Sequence, residues 1–231
     1  MMQATNKRVA LTGVGHTVGS GIRTNNDPIF DWIKNHNVQN VKLFAGYKNR
    51  AVLDKGENIV CLIMPAASNA LKQAGIKKDQ SDAIVGYASI SEYLTPNGLS
   101  DVHRQLGLSK QCYIIPVQSE FTNYLLSLKI AHSMIVAGSA ERVLVVCGAN
   151  WTRHVDYHQA PSLSVGDGAC AAVVTTSKSV SNFQLVDQET YCETEWYGAM
   201  TNAPRELLPP QDLARLGAYT KSVFNMVPVK G

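Results

Sequence analysis

The sequence predicts an α/β protein, and three observations predict it. Runs of β-branched and apolar residues alternate with runs whose apolar residues recur at intervals of three and four. The stretch Arg142 to Cys147 (RVLVVC) is continuously apolar after its first residue, as strands inside parallel sheets are. From Glu120 to Ala137, residues Phe121, Tyr124, Leu125, Leu126, Leu128, Ile130, Ala131, Met134, Ile135 and Val136 leave almost no polar face, which predicts a helix buried on most sides.

The elements follow in order. Arg8 to Thr12 reads as a buried strand stopped by Gly13-Val14-Gly15, and Asp27 to Asn35 as a helix with Pro28 in its first turn. From Asn58 to Ala74, Ile59, Leu62, Ile63, Ala66, Ala67, Ala70, Leu71 and Ala74 form one face of an amphipathic helix that Gly75 ends. Asp82 to Tyr87 is the next strand, Gly98 to Leu106 a short helix closed by Gly107, and Cys112 to Val117 a further strand. After the apolar helix and RVLVVC, strands are expected over Ala169 to Thr176 and Phe183 to Thr190, and a linker over Ala203 to Asp212.

Composition narrows the function. The chain has 231 residues, 45% hydrophobic and 17% charged, which excludes disorder, collagen and coiled coil. Its net charge of +3 is scattered as singles and pairs such as Lys77-Lys78, so nucleic acid is not an expected partner. The longest apolar runs fall short of the ~20 residues of a membrane span, and no secretory leader is evident. A cytoplasmic protein without a membrane partner is expected. Five widely spaced cysteines with no C-x-x-C pair read as buried thiols in a reducing compartment.

Single motifs carry little. Gly13, Gly15 and Gly19 after a strand resemble a dinucleotide turn, but none of the nine tyrosines has a lysine four positions on, as a short-chain dehydrogenase would need. His154, Asp156 and His158 supply part of a metal set without further ligands, so no metal is expected. Ser162-Leu163-Ser164-Val165-Gly166 falls one glycine short of a nucleophile elbow.

The collective pattern says more. The runs AGIKKDQ (Ala74 to Gln80), Ile84-Val85, Leu106-Gly107-Leu108, VLVV (Val143 to Val146) and GDGACAAVV (Gly166 to Val174), with Asp31-Trp32-Ile33 and GYKNR (Gly46 to Arg50) upstream, stand in fixed order and spacing. The set resembles the 3-oxoacyl-ACP synthase III branch of the thiolase superfamily over residues 8 to 177. The resemblance implies an α/β, thiolase-like βαβαβ half over 1–177, with a mixed, mostly parallel sheet and a buried central helix, and over 178–231 a last strand and an extension packing on it, all as one domain.

Members of that family acylate a cysteine at the N-terminus of the buried helix, where the positive helix end favours thiolate. A histidine and an asparagine from the second half of the fold then assist decarboxylation, and backbone N–H groups hold the oxyanion. Anchoring on Leu128, Ala131 and Gly138 puts Phe121 at the nucleophile position, with Gln118, Ser119 and Glu120 as near misses. Glutamine there, in some relatives, accompanies decarboxylation without condensation. Cys112 lies nine residues before Phe121, and all six histidines precede Pro161. No catalytic residue is therefore assigned.

The resemblance thus implies a non-catalytic, ketosynthase-like subunit, similar to a chain-length factor. It would form a heterodimer with a full-length ketosynthase in fatty acid or polyketide biosynthesis, serve an acyl carrier protein, and shape the acyl tunnel. The alternative is an active synthase III-type acyltransferase or malonyl decarboxylase, truncated or using a nonstandard residue. No resident cofactor is implied. Trp32 resembles the tryptophan that stacks on the adenine of coenzyme A, so it is the expected contact for CoA or for a carrier protein's phosphopantetheine. The strand Cys112 to Val117 is the expected subunit interface, and Tyr93 and Leu94 the loop that plugs the partner's tunnel.

Overall fold

The computed structural model describes residues 8–38, 42–93, 95–177 and 183–192, Glu120 as backbone, and the backbones of 200–204 and 222–226. The chain forms two compact units, each assembled from several segments. The first takes in residues 1–18, 55–149 and 168–189; the second takes in 19–54, 150–167 and 190–231.

The first unit is built on a six-stranded sheet. Its strands are β1 (Val9–Val18), β4 (Ala83–Ala88), β5 (Tyr113–Pro116), β6 (Arg142–Ala149), β7 (Gly168–Thr176) and β8 (Phe183–Gln184), in the order β5-β4-β6-β7-β1-β8. β4 pairs in parallel with β5 and β6, whereas β7 runs antiparallel to β6 and β1, and β8 antiparallel to β1. Four strands therefore share one direction, and the sheet is mixed and mostly parallel, as the resemblance implies.

Helices α2 (Ile59–Ala74), α3 (Gly98–Leu106) and α4 (Asn123–Val136) belong to this unit. Asn58 caps α2 by accepting from the N–H groups of Val60 and Cys61, and Gly75, left-handed at φ 66°, closes it. Asn97 and Gly107 bracket α3 in the same way. The apolar face of α2 buries Leu62, Ile63, Ala66, Ala67, Ala70 and Leu71.

β1 does not stop at Gly13-Val14-Gly15; it runs on to Val18. The two glycines let α2 lie directly on the strand, because a Cβ on Gly13 would strike the carbonyl of Ala70 and one on Gly15 that of Ala66. They serve close packing, neither ending the strand nor forming a nucleotide turn.

α4 packs one face on the opposite side of the sheet. Leu128, Ala131 and Ile135 join Val9, Ala83, Val85, Val143, Val145, Ala172 and Val174 in one core cluster. The expectation of burial on most sides is corrected: Leu125 is 58% and Val136 43% exposed. Polar Asn123 and Ser127 take buried positions instead, and Ser127 Oγ satisfies itself on the carbonyl of Asn123. The strand expected over Phe183 to Thr190 shrinks to Phe183–Gln184; beyond it Leu185 packs against the α4 cluster and Gln188 Nε2 donates to the carbonyl of Leu125.

In the second unit β2 (Gly21–Thr24) pairs antiparallel with β3 (Asn49–Val52), and β9 (Met200–Pro204) with β10 (Ser222–Met226). Ala203 and Pro204 thus lie in a strand, and the rest of the expected linker, 205–212, falls outside the described residues. The helix expected over Asp27 to Asn35 is a 3-10 turn, Pro28–Phe30, capped by Asp27, followed by the short α1 (Asp31–Asn35). The cysteines are also not uniformly buried: Cys112 is, Cys147 and Cys170 are half-buried, and Cys61 and Cys192 are exposed.

Candidate functional site

The turn that leads from β5 into α4 is the first candidate. After Val117, whose N–H bonds to the carbonyl of Gly86, the chain leaves the sheet through Gln118 and Ser119 and enters a 3-10 turn, Glu120–Thr122. Phe121 interrupts that turn with φ 17° and ψ −24°, and the residue is 75% exposed. Ser119 and Thr122 face each other, Oγ to Oγ1 at 2.9 Å, and Thr122 Oγ1 donates to the carbonyl of Ser119 at 2.8 Å. Asn123 Oδ1 accepts from the N–H of Ser119 at 2.5 Å and fixes the turn from below.

This geometry offers an apolar ring and two hydroxyls that bond to each other. A serine or threonine nucleophile needs a base on its hydroxyl, and among the described residues these two bond to a hydroxyl and a carbonyl. Gln118 is exposed one residue before Ser119. Cys112 sits beyond the other end of β5; burial, with Asp82 second, pushes its thiol up to about 11, so it stays protonated at neutral pH.

The expected interface strand is an edge strand. β5 pairs on one side only with β4 among the described residues, and Tyr113 is 57% and Ile114 38% exposed. Cys112 and Val117, at its ends, are both buried. Tyr93 is 69% exposed in the loop after β4; Leu94 lies outside the described residues.

In the second unit Trp32, on α1, is 40% exposed and covered by imidazoles. The ring of His36 is stacked on the indole at 4.1 Å and 12°, and that of His158 sits at 4.2 Å and 48°. His158 is held in turn by Asp156, which is buried and accepts from the His158 N–H at 2.9 Å. The hydroxyls of Ser162 and Ser164 donate to the carbonyls of Gln159 and Pro161, so both are spent on their own turn. Among the described residues no cluster of three metal-binding side chains occurs.

Two residues of the motifs GYKNR and GDGACAAVV, given no role by the sequence, organise the second unit. Asp167 is buried and accepts from the N–H of Leu53, the N–H of Thr152 and the hydroxyl of Thr152, tying segments 19–54 and 150–167 of the second unit together. The signal was an acid between two glycines ahead of a strand. Arg50 is 5% exposed, donates to the carbonyl of Leu163 and to Asn25 Oδ1, and lies 5.1–5.6 Å from the rings of Phe30, Phe44 and Tyr47. Burial, then Arg23, lowers its pKa from the ordinary value.

Comparison with known proteins identifies the architecture. The family model described as 3-oxoacyl-(acyl-carrier-protein) synthase III matches residues 117–193. Beta-ketoacyl-(acyl-carrier-protein) synthase III of Ruegeria pomeroyi is 30% identical over 174 residues, 72% of this chain and 51% of that protein. The 2-heptyl-4(1H)-quinolone synthase subunit PqsC of Pseudomonas aeruginosa is 28% identical over 192 residues, 77% of this chain and 54% of that protein. The crystal structure of 3-oxoacyl-(acyl-carrier-protein) synthase III from Aquifex aeolicus superposes with a TM-score of 0.62 at 26% identity, covering 74% of this chain and 55% of that one. The chain spans about half the length of the curated relatives it matches. In sequence and in fold alike, the chain belongs to the 3-oxoacyl-(acyl-carrier-protein) synthase III family of the thiolase superfamily.

Proposed function

We propose that the chain acts as a non-catalytic ketosynthase-like subunit that pairs with a complete condensing enzyme and shapes its acyl tunnel. The observation that carries this reading is Phe121, an exposed phenyl ring in the turn before α4, where the family resemblance calls for a nucleophile. A phenyl ring cannot take an acyl group, and the neighbouring hydroxyls of Ser119 and Thr122 bond to each other. The half-exposed edge strand β5 supports association, since an unpaired edge invites a second strand. A relative that is itself named as a synthase subunit supports a heteromeric role.

Partner and carrier protein follow from that reading: a full-length ketosynthase supplies the nucleophile, and its acyl carrier protein delivers the chain. Native purification through a tag on this chain, followed by intact-mass analysis of the complex, tests it. A complex containing a condensing enzyme with its own catalytic cysteine is the expected result. A chain that purifies alone and takes radiolabel from an acyl-CoA would overturn the reading in favour of an active acyltransferase; release of carbon dioxide from a malonyl thioester would favour a decarboxylase.

A further inference from the structure

Two cysteines that this function does not use face each other across the sheet. Cys147 on β6 and Cys170 on β7 are directly opposed in an unbroken antiparallel register that runs from Arg142↔Thr175 to Ala149↔Gly168. Directly opposed residues project from one face with Cβ atoms about 4.5–5.5 Å apart, and a disulfide asks for Cα atoms about 4.4–6.8 Å apart. The face is the one α4 covers. Val143 and Val145 on β6, and Ala172 and Val174 on β7, two and four residues away from the cysteines, pack into the α4 cluster.

Both thiols are free and half-buried, so neither is sealed in the core. Burial holds both above the ordinary thiol pKa, Cys147 up to about 12 with Cys170 as its second cause. Tyr124, in the first turn of α4, is also pushed up to about 12 by burial, with Cys170 and then Cys147 adding to the effect. The two sulfurs and this ring therefore lie within electrostatic reach of one another. The other cysteines are not placed for this pairing: Cys61 is on α2, Cys112 precedes β5, and Cys192 follows β8.

We propose that Cys147 and Cys170 form a redox-sensitive dithiol that closes to a cross-strand disulfide when a peroxide reaches it. One thiolate attacks a peroxide oxygen and breaks the O–O bond, giving a sulfenic acid and, with one proton, a first water. The second cysteine then attacks that sulfur, forms the S–S bond and expels hydroxide, which leaves as a second water. Two thiols and one hydrogen peroxide become one disulfide and two waters; sulfur is oxidised and the peroxide reduced. The bond staples the end of β6 to the start of β7 beside Tyr124. Because attack needs thiolate, closure is slow at neutral pH and accelerates roughly tenfold per pH unit below the thiol pKa.

The whole chain, treated with hydrogen peroxide, denatured in N-ethylmaleimide and digested with trypsin, provides the test. Cleavage after Arg153 puts the two cysteines on separate peptides, 143–153 and 154–178. The expected products are these two peptides joined, with a loss of two hydrogens, and maleimide on Cys61, Cys112 and Cys192. Dithiothreitol should reverse the link, closure should speed up from pH 7 to pH 9, and Cys170→Ser should abolish it. Maleimide on all five cysteines, sulfinic acid without a link, or a linked pair that includes Cys61 or Cys192 would overturn the proposal on the unmodified chain, whether or not the variant folds.

Discussion

The imidazole of His36 lies flat on the indole of Trp32, 4.1 Å away and within 12° of parallel, and its Nδ1 is 2.8 Å from the carbonyl oxygen of Trp32 one turn earlier. One helical turn thus provides the tryptophan with its own stacking partner. An adenine that stacks on that face must displace an imidazole, and an aromatic pair is worth about 0.5–1.5 kcal/mol. His36→Ala should therefore tighten CoA binding roughly two- to tenfold. Titrating CoA against tryptophan fluorescence checks this, with Trp32→Ala as the blank for the other two tryptophans. Equal affinity in the parent, His36→Ala and Trp32→Ala would remove Trp32 from nucleotide recognition.

Incubation with acyl-CoA or acylated carrier protein should leave the intact mass of the isolated chain unchanged. Phe121 offers no nucleophile, and among the described residues the hydroxyls beside it bond to a hydroxyl and a carbonyl. A stable adduct mapped to the peptide holding Gln118 to Thr122 would refute this. Ser119→Ala would then show whether its hydroxyl carries the acyl group.

Much of the fold was legible because burial and capping act locally. The three-and-four spacing of α2, with Asn58 before it and Gly75 after it, determines that helix from sequence alone. What stayed hidden depends on contacts distant in sequence. Gly13 and Gly15 look like turn glycines until α2 is seen resting on them, and α4 looks buried all round until Leu125 and Val136 are found exposed. The candidate site was legible only as a resemblance. Neither the paired hydroxyls of Ser119 and Thr122 nor the three bonds onto Asp167 follow from any spacing in the chain.

The close packing at Gly15 sets a stability prediction. A methyl group there overlaps the backbone carbonyl of Ala66, and a helix backbone cannot yield as a flexible side chain can. Gly15→Ala should destabilise the protein by about 1–3 kcal/mol through overpacking. Gly107→Ala, with open space around it but φ at 67°, separates strain from collision. Urea melts of both variants read the difference, and an unchanged midpoint for Gly15→Ala would mean that α2 does not rest on β1.

Alkali should unfold the protein earlier than ordinary side-chain pKa values suggest. Burial raises the thiols of Cys112 and Cys147 to about 11 and about 12, and the phenols of Tyr124 and Tyr157 to about 12. The folded state then holds protons that the unfolded state has released. The associated stability is complete below about pH 9 and drains away as pH climbs to 12. The melting temperature should be flat from pH 7 to 8.5 and decline above pH 9. Cys147→Ala should flatten the decline; an identical slope in that variant would mean that its thiol titrates normally.

The loop after β4 and the edge of β5 make the partner testable piece by piece. Tyr93 extends from that loop with 69% of its surface exposed, next to Leu94, and β5 presents Tyr113 and Ile114 along the same sheet's open edge. If β5 joins a partner's strand, a charge in the middle of that edge opposes the pairing, so Ile114→Asp should weaken association about tenfold or more. If Tyr93 and Leu94 enter the partner's acyl tunnel, shortening either side chain deepens the pocket. Leu94→Ala and Tyr93→Ala should then lengthen the partner's acyl products by at least one two-carbon unit with assembly intact, whereas Leu94→Asp should impair assembly. The two contacts fail independently. Normal product lengths with a sensitive Ile114 would leave strand pairing as the sole basis of association, and longer products with an insensitive Ile114 would assign association to the loop.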